Sequence, residues 1–119
     1  LLDFVREREM PVCLPAIALA EVAGAIARGT GRTSLAHRVI RLLQATPHYQ
    51  WAIIDLPLAQ RAAMLAAEYR LRGYDAVYVA LAQQLDAPLV TLDMELCKRG
   101  PADVEVRRPE EQLARLRSA

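Results

Sequence analysis

Four short apolar runs, each followed by a stretch with helical patterning, constrain this chain more than any other feature. The runs "PVCLP", "WAIIDL", "PLVTL" and "VEVR" read as strands. Leu1 to about Arg8 reads as the tail of an amphipathic helix. "AIALAEVAGAIAR" and "DAVYVALAQQL" are apolar nearly all round, which marks buried helices. "GTGRTS" breaks the first of these, and Thr33 or Ser34 can cap "LAHRVIRLLQA", where Leu35, Val39, Leu42 and Leu43 form a stripe. Pro57 opens "PLAQRAAMLAAEYRLR" in the favoured first-turn position; Gly73 ends it, and Asp75 opens the next helix. "DMELCKRG" is a short helix or loop, and "PEEQLARLRSA" a closing helix. Strands alternating with helices predict the α/β class, with a parallel sheet buried on both faces.

The 119 residues suffice for one domain with one modest core, so residues 1–119 are expected to form a single domain. Hydrophobic residues make up 54% and aromatics 5%, so Ala, Leu, Val and Ile must build that core. A net charge of +1 announces no nucleic-acid partner by itself. Nearly every base is arginine, with Lys98 the sole lysine, which reflects either coding bias or a use for bidentate contacts. Cys13 and Cys97 lack metal-site spacing and read as small core residues in a reducing compartment. No apolar run is long and charge-free enough to span a bilayer, so a cytoplasmic protein is expected.

Three acids stand out against this apolar background. In a strand–helix–strand unit the helix runs antiparallel to its strands, so Asp75 at a helix start lies near the carboxyl edge of the sheet. The helix descends about 11 residues, roughly 16 Å, and "PLVTL" climbs back to place Asp93 at the same edge. Glu21, the only acid from Pro11 to Ala27, reaches that edge by the same logic. Ligands bind at that edge in open α/β sheets. Carboxylates crowded there repel one another unless a proton or a cation intervenes. Mg²⁺ or Mn²⁺ suits a few hard oxygen ligands, whereas His37 and His48 have no evident partners for zinc. Such an ion supports hydrolysis of a phosphodiester. The alternatives are helix capping by Asp75 and Asp93, and an arginine partner such as Arg28 for Glu21.

"LPAIALAEVAGAIAR" and "YDAVYVALAQQLDAPLVTLD" resemble the PIN domain family, and more narrowly the VapC ribonuclease toxins of bacterial toxin–antitoxin pairs. The most specific part runs from Tyr74-Asp75-Ala76 through Ala80-Leu81-Ala82 to Thr91-Leu92-Asp93. The resemblance implies a three-layer α/β/α sandwich with a central parallel sheet. It implies a Mg²⁺- or Mn²⁺-dependent endoribonuclease with an acidic quartet, in which Glu21, Asp75 and Asp93 match the second, third and fourth acids. These three are the expected catalytic and metal-binding residues. Glu95 is a further candidate ligand, and Thr91 a candidate hydrogen-bond partner for the site. A homodimer and a cognate antitoxin protein are implied as well.

The first acid of the family ends an N-terminal strand in the middle of the sheet, and no such strand is visible here. Asp3 does not replace it, because the interval from Asp3 to the end of "PVCLP" holds no helix of the required length. The reading therefore expects an N-terminally incomplete domain, with further residues upstream of Leu1. Without a central strand its neighbours would stand roughly 9–10 Å apart with backbone groups unpaired.

RNA must be drawn to an acidic site by bases around it. Arg28, Arg32 and Arg38 are the expected RNA contacts, with His37 and Arg41 beside them, although a solvated helix face explains them equally. Two other functions compete with the ribonuclease: a non-catalytic PIN-like binding or scaffold module, and a phosphate-binding domain of the response-regulator kind. The second lacks a phosphoacceptor Asp after a clear strand with a lysine nearby.

Overall fold

The computed structural model describes residues 1–118, with the backbone alone at Met94. Its elements follow the order α1 (Leu2–Glu7), β1 (Val12–Pro15), α2 (Ile17–Thr30), α3 (Thr33–Ala45), β2 (Tyr49–Ala52), α4 (Leu56–Tyr69), α5 (Gly73–Leu85), β3 (Leu89–Val90), α6 (Met94–Arg99), β4 (Val106–Arg107) and α7 (Pro109–Ser118). They group into two compact units: Val5–Ile53, and Leu1–Phe4 with residues from Ile54 on. Among the described residues no helix is long and apolar enough to cross a membrane.

In the unit Val5–Ile53, β1 and β2 pair in parallel, with Val12 opposite Tyr49 and Pro15 opposite Ala52. Val12 N–H to His48 O (3.1 Å) and Ala16 N–H to Ala52 O (2.9 Å) extend the ladder at both ends. The strand expected in "WAIIDL" is therefore displaced toward the N-terminus. Ile53 is 82% exposed, so the apolar run there is not the buried strand. The ladder is set by backbone partners in β1 rather than by local hydrophobicity.

Helices α2 and α3 pack on each other. Between them Gly31 takes a left-handed conformation (φ 69°), and its N–H reaches Ala27 O at 2.8 Å. Glycine is the residue that adopts this C-cap without steric cost. The expected Thr33 or Ser34 cap is not formed: Arg32 is the N-cap of α3 and offers no side-chain bond. Thr30 serves the turn instead. Its hydroxyl donates to Ile26 O (2.7 Å) and accepts from Arg32 N–H (3.1 Å).

The second unit is built on α4 and α5. Leu58, Ala62 and Leu65 recur at helical spacing on α4 and are buried with Ala76, Val79, Ala80 and Ala82 of α5. Ala76, Val79 and Ala80 are fully buried. Small side chains on α5 let the two helices approach closely, so a dense core forms without aromatic bulk. Leu89, Leu96 and Val104 complete the cluster. Strands β3 and β4 pair in parallel, Leu89 opposite Val106 and Val90 opposite Arg107. Parallel pairing is as expected; among the described residues it forms two separate two-stranded ladders.

Asp55 caps α4, accepting Leu58 N–H at 3.0 Å, with Pro57 in the first turn as expected. Asp55→Ala should therefore cost about 0.5–2 kcal/mol, measurable as a lower urea midpoint with an unchanged slope. The expectation that Gly73 ends this helix fails. Helix α4 stops at Tyr69 because Arg70 adopts the left-handed C-cap conformation (φ 54°, ψ 45°), and its N–H reaches Ala66 O. Gly73 instead begins α5, with Arg72 as N-cap.

Candidate functional site

The ladder between β3 and β4 fixes where the chain turns next. Thr91 N–H donates to Arg107 O at 2.9 Å, the last rung. The Thr91 hydroxyl then accepts Asp93 N–H at 3.0 Å. Asp93 is the N-cap of α6, and its Oδ1 accepts Glu95 N–H at 2.9 Å. One carboxylate oxygen is thus spent on capping. Among the described residues Oδ2 takes no hydrogen bond.

Asp75 is the third residue of α5, inside the first turn rather than capping it. Its backbone N–H groups and the helix dipole favour negative charge there. The side chain is half-buried, and among the described residues it makes no hydrogen bond or ion pair. Burial raises its pKa above the ordinary carboxylate value, the negative charge of Asp93 raises it further, and Arg72 partly opposes both. Asp75 and Asp93 are therefore close enough to repel each other, as the antiparallel course of helix and strand requires.

Both aspartates line one pocket of about 260 Å³, together with Glu95 and the arginines Arg70, Arg72 and Arg99. Glu95 is exposed and pairs with Arg99 (Oε2 to Nε, 3.5 Å). Arg72 donates to the Tyr74 hydroxyl at 3.0 Å. Arg99 also reaches the carbonyl of Arg70 at 3.5 Å.

Glu21 lies in the second turn of α2, half-buried, in the other compact unit. Arg28, Arg32 and Arg38 belong to that unit as well and are all exposed. A Cβ on Gly24 would stand 2.8 Å from a guanidinium nitrogen of Arg28, so that side chain folds back along its own helix. His37 and Arg41 lie exposed on α3. The structure thus joins Asp75 with Asp93 and adds three arginines that the sequence reading passed over. The signal for them was their spacing, since Arg70 and Arg72 closely precede Asp75, and Arg99 lies one turn beyond Glu95.

The donor set suits a hard divalent cation. Two neighbouring carboxylates, which among the described residues leave Asp75 without a hydrogen bond and Asp93 with one oxygen free, offer the ligands that Mg²⁺ or Mn²⁺ prefers. A cation would also relieve the repulsion that now raises the Asp75 pKa. Among the described residues no group of three His, Cys, Asp or Glu side chains is disposed to hold a metal ion.

Comparison with known proteins bears on the whole arrangement. The model of the PIN domain family matches residues 2–100. No curated protein matches the chain. Among solved structures, the chain is similar to PAE2754 from Pyrobaculum aerophilum, with 20% identity and a TM-score of 0.73, covering 99% of this chain and 85% of that one. It is also similar to VapBC2 from Rickettsia felis, solved bound to a DNA fragment from its promoter. That likeness has 12% identity and a TM-score of 0.68, over 90% of this chain and 80% of the other. The fold is of the PIN-like α/β/α class.

Proposed function

This chain belongs to the PIN domain family, and we propose that it is a metal-dependent endoribonuclease, the VapC-type toxin of a toxin–antitoxin pair. The observation that carries the reading is the half-buried, unpartnered carboxylate of Asp75 facing Asp93 in one pocket. In this reading Asp75, Asp93 and Glu21 are the metal-binding and catalytic acids of a single PIN-like domain spanning residues 1–119. Family membership and the VapBC2 likeness support it.

When bound, Mg²⁺ or Mn²⁺ supplies charge neutralisation and Lewis acidity toward a phosphodiester and its attacking water. The residues of the chain do the rest. Asp75 would contribute a half-buried carboxylate oxygen that no ion pair among the described residues engages. Asp93 is held in orientation by the Thr91 hydroxyl and by its own bond to Glu95 N–H, so it pays little entropy on binding. Glu21, carried on α2, is the third proposed ligand. Arg28, Arg32 and Arg38 stand as proposed outer contacts for RNA. The VapBC2 likeness further supports a cognate antitoxin as partner, and we place the protein in the cytoplasm as a homodimer.

A second reading, a non-catalytic PIN-like binding module, draws on the lack of a three-ligand cluster among the described residues. One assay separates them. The ribonuclease reading expects cleavage of single-stranded RNA with Mg²⁺ or Mn²⁺ and none in EDTA. Cleavage that persists in EDTA excludes the metal mechanism, and no cleavage with any divalent ion favours the binding module.

A further inference from the structure

Three guanidinium groups rim the pocket of Asp75 and Asp93, yet among the described residues none forms an ion pair with either carboxylate. Arg72 is exposed and is held by the Tyr74 hydroxyl at 3.0 Å. Arg99 is held between Glu95 and the carbonyl of Arg70. The Arg70 side chain makes no hydrogen bond or ion pair among the described residues. Its backbone occupies a left-handed C-cap (φ 54°), where glycine is the usual and less strained residue. Arginine suits the negative end of the helix dipole there, and the same position puts Arg70 on the rim of the pocket.

The charges support the same conclusion. Asp75, Asp93 and Glu95 balance Arg70, Arg72 and Arg99, so a divalent ion would leave the pocket with a net positive charge. That suits phosphate. We propose that Arg70, Arg72 and Arg99 position successive backbone phosphates of single-stranded RNA against the carboxylate pair, and that Tyr74 stacks a base beside them. Tyr74 is 40% exposed and its hydroxyl accepts a hydrogen bond from Arg72, which suits a stacking platform beside the arginines. The proposal rests on the ribonuclease reading and adds to it the residues that hold the substrate.

The test is binding of a fluorescein-labelled, mixed-sequence single-stranded RNA 12-mer, followed by anisotropy over a range of KCl concentrations. The measurements use the Asp75→Asn background, in which the ribonuclease reading expects no cleavage. In it, Arg72→Gln and Arg70→Gly should each weaken binding about tenfold at low salt, as loss of a charged phosphate contact does. Each should also reduce the salt-dependence slope by about 0.7. Tyr74→Leu should weaken binding with the slope unchanged, because stacking releases no counterions. Arg61→Gln, exposed on α4 outside the pocket, should change neither quantity. Arg70→Gly should melt no lower than its parent, so its weaker binding cannot be assigned to misfolding. Unchanged affinity and slope in Arg70→Gly and Arg72→Gln would overturn the proposal while the ribonuclease reading stands. If the Asp75→Asn chain binds no RNA at all, the proposal also falls, and the cleavage assay decides the ribonuclease reading separately.

Discussion

Asp75→Asn should remove metal-dependent RNA cleavage, by about a hundredfold or more, while leaving the metal-free chain at least as heat-stable as its parent. The two effects have one origin. Burial first, and then the charge of Asp93, raise the Asp75 pKa in the folded chain. The folded state therefore binds this proton more tightly than the unfolded chain does. The contribution of Asp75 to stability is fully present below its ordinary pKa, near about 3.9, and is lost as pH rises through the folded value. At neutral pH the ionised carboxylate is a liability that asparagine does not carry. A divalent ion reverses this for the parent alone. At about a hundred times its Kd it stabilises by roughly 2.7 kcal/mol, on the order of 10 °C in Tm for a chain of this size. Calorimetry at pH 7, with Mg²⁺ and with EDTA, should show that rise in the parent and little of it in Asp75→Asn.

Val79→Asp should leave the unit that contains α4 and α5 largely unfolded. Val79 is fully buried, with Leu58, Ala62, Leu65, Ala76 and Ala80 in the same core cluster. An ionisable group there has no partner and no water, which costs about 4 kcal/mol or more. Domains of this size hold only about 5–15 kcal/mol in total. Val79→Ala, which removes methyl groups without adding charge, should cost about 1–3 kcal/mol and stay folded. Far-UV circular dichroism and urea titration of both variants check the pair. Equal stability of the two would mean that α5 is not packed as described.

The placement of Asp75 and Asp93 was legible in the sequence because it follows from chain direction alone. A helix that descends beside a strand returns the next strand to its starting edge, whatever the details of packing. Element boundaries were less legible, because they depend on backbone partners distant in sequence. "WAIIDL" looks like a strand by composition, yet the ladder with Val12–Pro15 selects Tyr49–Ala52 and leaves Ile53 in solvent. Gly73 looks like a helix stop, yet Arg70 takes the left-handed position and Gly73 starts α5. The same residue explains why the arginine rim went unread. An arginine-rich composition hides individual arginines, and the left-handed C-cap that sets Arg70 at the pocket rim has no signature in sequence. The capping of α6 by Asp93 was anticipated as an alternative to metal binding; the structure gives Oδ1 to the cap and leaves Oδ2 without a hydrogen bond.

That shared use of Asp93 makes the central claim directly measurable. Electron paramagnetic resonance can count free Mn²⁺ as the ion is titrated into the parent, Asp75→Asn and Asp93→Asn. Asparagine remains a good N-cap, so Asp93→Asn alters the site and spares α6. The parent should bind Mn²⁺ saturably, and either substitution should weaken that binding about tenfold or more. Binding of the same strength in all three chains, or none in the parent, would contradict it.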